Sequence, residues 1–161
     1  MAIGCWLKVN DQLSRPNSKE QTANNQKPRV MRIDKELLDS LTRKAEENER
    51  LRMNLDLRTS QDDASQRMLN ALEPGTILPI HRHRFSTETV IMVRGSLKEI
   101  FYSEDGKVTE IITLQAGGEC PALQIPKGQW HTVEVLEHGT VIFEAKDGAY
   151  VPLSDEDILK I

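Results

Sequence analysis

From about Arg67 onward the apolar residues fall in short runs punctuated by glycine and proline. The runs are MLNAL, TILPIHRH, ETVIMVR, SLKEIFYS, VTEIITLQ, ALQI, HTVEVL and TVIFEAK. Between them lie Pro74-Gly75, Gly95, Asp105-Gly106, Gly117-Gly118, Pro126-Lys127-Gly128 and Glu137-His138-Gly139. Short β-prone runs at even intervals, with turn signals between them, predict an all-β sandwich or barrel over about residues 67–146. Asp105-Gly106 is the strongest hairpin turn. MLNAL has enough helical propensity to be read either way.

Upstream the period lengthens. Leu37, Leu38, Leu41 and Ala45 form one helical stripe, which predicts a helix over about residues 34–48. Asp34 can cap its first turn, and Ile33 with Leu38 sits where a hydrophobic staple would be. Arg43–Glu47 and Glu46–Arg50 are charge pairs on the solvated side. Such a helix is expected to cover one face of a sheet rather than to dock a partner. Residues 8–28 hold only Val9 and Leu13 as sizeable apolar groups, too few to offset the entropy of ordering them. Residues 1–28 are therefore expected to form a polar, flexible extension, and 29–161 a single domain.

At 161 residues the chain is long enough to bury a core without disulfide staples. Its 21 basic and 25 acidic side chains give a net charge of −4, which argues against a nucleic-acid partner. No apolar run approaches a membrane span. Cys5 and Cys120 cannot make a disulfide framework, and Ala2-Ile3-Gly4-Cys5 lacks the basic start and apolar stretch of a lipoprotein leader. The expected setting is the cytoplasm, with neither membrane nor nucleic acid as partner.

The histidines change the picture. His81 and His83 are two apart, so on a strand they leave the same face and can converge on one ion. Glu88 follows His83 by five residues and would point the other way on a straight strand. It joins the pair only if the chain turns or bulges within Arg84–Thr87. His131, just past Pro126-Lys127-Gly128, would be delivered to the same mouth by that turn. Three imidazoles and one carboxylate suit a single divalent Fe, Mn, Ni, Zn or Cu, and leave two of six positions for water or substrate.

These residues resemble the cupin superfamily. Its first motif reads here Gly75, five residues, His81-Arg82-His83, four residues, Glu88, six residues, Gly95. Its second is met in part: Pro126, Gly128 and His131 match, Gly118 is two residues too far upstream, and Val135 stands in place of an asparagine. Neither departure touches a ligand. QRMLNALEPGT, HRH, VRG, DGKVTE, IPKGQWHTV and FEAKDGAYVPL are further similar to the WbuC-type cupin fold metalloproteins. Ile80 and Thr87 depart from that family, which often has Pro and Trp there. The resemblance implies a single double-stranded β-helix, a jelly-roll barrel, with an N-terminal helical segment. It also implies a bacterial setting in surface-polysaccharide synthesis and a homodimer paired through outer sheet faces.

In TVIFEAK, Val141, Phe143 and Ala145 share one face and Ile142, Glu144 and Lys146 the other. If the second face looks inward, Glu144 and Lys146 are fit for proton transfer or for gripping a polar ligand. If it is solvated, they are a surface ion pair of little worth. Tyr150 could reach the mouth as a hydroxyl donor. Trp130 is expected to pack outside the barrel, Cys120 to be a small buried side chain, and His138 to be a solvated loop residue. The leading expectation is a metal-dependent enzyme, isomerase- or epimerase-like, acting on a small polar molecule such as a sugar or sugar derivative. An Fe(II) dioxygenase uses the same ligands, and a metal-dependent binding module without turnover is the reading from another class.

Overall fold

The computed structural model describes residues 30–161, so the expected N-terminal extension lies outside the described residues. Helix α1, Lys35–Glu46, starts where Asp34 accepts a hydrogen bond from the Leu37 amide at 3.1 Å. That bond satisfies one of the donors a helix start leaves unpaired. Arg43 and Lys44 in the last turn complement the helix dipole. Leu38, Leu41 and Ala45 bury themselves against Leu69, Ala71 and Val141, so the helix covers a sheet face. Its ion pairs run through Asp39, to Lys35 at 2.5 Å and Arg94 at 2.6 Å, rather than through the pairs expected at Arg43–Glu47 and Glu46–Arg50.

Eight strands follow among the described residues: β1 (Arg52–Asp56), β2 (Ser65–Leu72), β3 (Glu88–Arg94), β4 (Ser96–Tyr102), β5 (Val108–Gln115), β6 (Ala122–Ile125), β7 (Trp130–Val135) and β8 (Thr140–Asp147). They form a five-stranded sheet, β1-β2-β8-β3-β6, and a three-stranded sheet, β5-β4-β7, with every pairing antiparallel. This is the expected jelly-roll barrel. Its lumen is filled from both sheets, by Leu72, Val90 and Ile142 from one and Leu97, Phe101 and Leu114 from the other. The β3–β4 corner requires Gly95: φ is +75°, and an added Cβ would sit 2.9 Å from Thr140 Cα.

Two segments differ from the sequence expectation, and a third settles one that was open. Strand β1 lies upstream of the eight runs; its Met53 and Leu55, continued by Leu57, pack with the helix cluster. MLNAL is strand, paired to β1 on one side and β8 on the other, so tertiary pairing overrides its helical propensity. TILPIHRH is not a regular strand: its only bridges are His81 to His131 and His81 to Ile158. Pro79 has no amide to give to a ladder. In its place residues 154–159 return as a strap, with Leu159 N–H donating to Ile80 O at 2.9 Å and Arg82 N–H to Asp157 O at 3.1 Å.

Candidate metal centre

Backbone bonds place the four candidate ligands. His81 and His131 exchange amide–carbonyl hydrogen bonds, both 2.9 Å, which sets their rings 4.3 Å apart. The Pro126–Gly128 turn holds the next residue, because Gly128 N–H donates to His83 O at 2.8 Å from a φ of +82°. Glu88 opens β3 directly after the irregular Arg82–Thr87 loop, which resets the strand parity as the spacing required. One ligand atom from each of His81, His83, Glu88 and His131 lies within 4.8 Å of the others. Such a cluster could hold a metal ion.

The donor chemistry fits that use. The Nδ1 atoms of His81 and His131 lie 3.1 Å from Pro79 O and 3.0 Å from Gln129 O. A carbonyl only accepts, so each Nδ1 carries the proton and each Nε2 the lone pair a metal needs. His83 Nε2 and Glu88 Oε2 are buried without a hydrogen-bond partner although they lie 3.2 Å apart. Burial, with His131 beside it, pushes the His81 pKa down to about 3, so its ring is neutral at ordinary pH.

Behind the ligands, β8 alternates as its sequence suggests. Val141 and Phe143 pack under α1, while Ile142 belongs to the lumen, which places Glu144 and Lys146 on the lumen side. Lys146 Nζ donates to Glu88 Oε1 at 3.1 Å and lies 3.7 Å from Glu144 Oε1. Asn70, on the matching face of β2, donates to Glu144 Oε2. One ammonium therefore serves two carboxyls. Burial works against charge on Glu88, yet Lys146 and the imidazoles hold its pKa well below the usual range. Burial raises Glu144 to about 8 despite Lys146, with Glu88 adding to the rise, so Glu144 keeps its proton at neutral pH. Burial opposes the charge on Lys146, but Glu144 and Glu88 raise its pKa overall.

The remaining candidates lie elsewhere. Tyr150 is 43% exposed with Arg58 over its ring, and no hydrogen bond or ring contact joins it to the four ligands. Trp130 is buried beneath the Arg82 guanidinium, 4.3 Å from the ring centroid. His138 is exposed but tied by Nδ1 to the buried Glu73 at 2.9 Å. A cleft of about 450 Å³ between α1 and the 138–139 turn shares no lining residue with the histidine cluster.

Two lumen residues escaped the sequence analysis. Asn70 stands between Leu69 and Ala71, both of which point at the helix, and parity alone would have placed it inside. Glu99 is 1% exposed between Leu97 and Phe101 on β4. Its signal was a carboxylate on the apolar phase of an alternating strand.

A family model described as a domain of unknown function (DUF6016) matches residues 33–114. No curated protein matches the chain. Among solved structures, Bacillus subtilis oxalate decarboxylase, a cupin, superposes with a TM-score of 0.50 at 21% identity over 68% of this chain. The same enzyme at pH 4.6 gives the same TM-score and identity. So does a structure of it described for its Mn(II) centres. The match spans about 28% of that enzyme's chain. The likeness shows a cupin fold, and the histidine cluster is in keeping with a metal-binding member of it. Among the described residues no helix is long and apolar enough to cross a membrane.

Proposed function

This chain belongs to the DUF6016 family, and we propose that it is a metal-dependent enzyme that moves a proton on a small, oxygen-rich substrate. Glu144 carries this reading: a largely buried carboxyl beside the ligand cluster, oriented by Asn70 and Lys146, holding its proton to about pH 8. A general acid–base group works best with a pKa near the operating pH. His81, His83, Glu88 and His131 would hold the ion, and a divalent first-row metal there supplies Lewis-acid polarisation of a substrate oxygen.

The chain's own residues do the rest. Glu144 delivers or accepts the proton. Lys146 stabilises the charge left when the proton departs and keeps Glu88 turned toward the imidazoles. Asn70 fixes the Glu144 carboxyl, and the 154–159 strap limits solvent at His81. Tyr150, beneath Arg58, has no part in this step. Isomerisation or epimerisation next to a carbonyl uses this equipment. The WbuC-type resemblance supports a sugar derivative of bacterial surface-polysaccharide synthesis as the substrate; the likeness to cupins supports a homodimer, and the cysteine usage a cytoplasmic setting.

Elemental analysis of the native protein, followed by thermal shifts over sugars and nucleotide sugars, tests the proposal. One ion per chain is expected, and His131→Ala should lose it. For a sugar that raises Tm, solvent deuterium should wash into the carbon next to its carbonyl. Glu144→Gln should keep the ion and slow that wash-in by about 100-fold or more. Metal and sugar binding with no wash-in in the wild type would mark a binding module instead.

A further inference from the structure

Strand β4 sends Leu97, Glu99 and Phe101 to one side; Leu97 and Phe101 belong to the lumen cluster, so Glu99 does too. The other buried carboxylates among the described residues are each held. Glu73 accepts from Gly139 N–H and pairs with His138, Asp157 takes Ser154 and Arg84, and Glu88 takes Lys146. Among the described residues Glu99 makes neither an ion pair nor a hydrogen bond, and its Oε2 is buried without a partner. A buried polar atom left unpaired is a standing cost, and proteins tolerate it chiefly where a ligand or water completes it.

The register says what Glu99 faces. Phe101 is opposite His131 and Glu99 opposite Val133, so Glu99 is a diagonal neighbour of His131 on the lumen side. Diagonal neighbours lie about 7–8 Å apart, within reach of one small molecule. The opposite sheet contributes Asn70, Glu144 and Lys146 to the same lumen. We propose that Glu99 is a ligand-orienting residue of this centre, donating a hydrogen bond to a carboxylate or carbonyl oxygen of a small hydroxy- or keto-acid unit held by the metal. The proposal rests on the metal-enzyme reading and narrows its substrate class. Burial above all, with Glu88 and Glu144 nearby, holds the Glu99 pKa well above the usual carboxyl range, so the group offers an O–H donor. A neutral donor in an apolar wall selects an acceptor oxygen and gives a hydroxyl-only polyol less.

Mn(II)-loaded full-length protein, titrated calorimetrically with glycolate, pyruvate and glycerol, tests this. The wild type should bind glycolate or pyruvate and prefer both to glycerol. Glu99→Gln, which keeps a donor without charge, should stay within about threefold of wild type. Glu99→Leu and the volume-matched Glu99→Met should bind the acids at least tenfold more weakly, a loss of about 1.4 kcal/mol or more. Both should keep the same Mn(II) stoichiometry and an undiminished Tm, and either one suffices if the other fails to fold. Apolar variants that bind the acids as tightly as wild type overturn the assignment, and so does a preference for glycerol or binding of neither acid. Wild-type protein that takes up no Mn(II) overturns the metal reading beneath it, a different and separately visible failure.

Discussion

The five-stranded sheet presents two unlike faces built from the same strands. Toward α1 it offers Leu69, Ala71, Val141 and Phe143, with no buried ionisable group; Arg94, which pairs with Asp39 of the helix, is partly exposed. Toward the lumen, the alternate residues of β2, β3 and β8 include Asn70, Glu88, Glu144 and Lys146 set among Leu72, Val90 and Ile142. One residue of register separates a face that stabilises from a face equipped for chemistry. Buried charge is costly to a core, so confining it to one phase lets the other phase carry the stability. The two functions are therefore expected to break separately.

The largest effect should come from the helix-covered face. Leu41 is fully buried between α1 and the sheet. Leu41→Ala removes its transfer free energy and leaves a cavity, a loss of about 2–5 kcal/mol. Denaturant unfolding should show that loss, while metal stoichiometry measured on the folded protein stays at the wild-type value. A Leu41→Ala protein that folds but no longer takes up metal would show that the two faces are coupled.

The lumen face gives the next largest effect, in the opposite sense. Lys146 donates to Glu88 Oε1, leaving Oε2 for the ion. Lys146→Met removes that orienting bond and the charge that keeps Glu88 ionised, while filling a similar volume. Loss of such an outer partner costs about 10–100-fold in metal affinity. Competition with a chromophoric chelator measures it, and unchanged affinity would show that Glu88 is set by its backbone position alone.

The same parity decides how much of this could be read from the chain. Seven of the eight strands overlap seven of the eight runs picked out by their spacing, because glycine and proline punctuate them. Strand β1 did not: Met53, Leu55 and Leu57 alternate, but no turn signal isolates them from the helix before them. The cluster of four candidate ligands was legible because their spacing survives an irregular backbone. His81 and His83 are held by single bridges and the Gly128 amide, not by the strand that was expected. Glu99 was passed over for a different reason. It shares the apolar phase of β4 with Leu97 and Phe101, but one carboxylate in an alternating strand does not say by itself that its face is buried. The strap was missed because residues 154–159 carry no apolar period; what holds them is long-range, backbone bonds with Ile80 and Arg82 and the pairing of Asp157 with Arg84 at 2.6 Å.

That clamp gives the smallest predicted effect and a pH signature that distinguishes it from the lumen. Burial opposes charge on Asp157, but Ser154 and Arg84 hold its pKa below the ordinary 3.8. A depressed carboxyl stabilises the fold above its unfolded pKa and loses that contribution as pH falls through the folded value. His81 is depressed too, from 6.5 to about 3, but as a base. Its unfolded form binds the extra proton, so stability falls as pH drops from 6.5 toward 3. The metal-free protein should thus weaken across that whole range, and Asp157→Asn should weaken in parallel with it. The difference between the two proteins should be constant from pH 8 to 5, about 1 kcal/mol or less for a partly exposed pair. It should close only below 3.8. Amide exchange at Arg82 and Leu159, whose N–H groups the strap holds, should rise in the variant at neutral pH. A difference that already closes between pH 6.5 and 5 would place the strap under the control of the histidines rather than of Asp157.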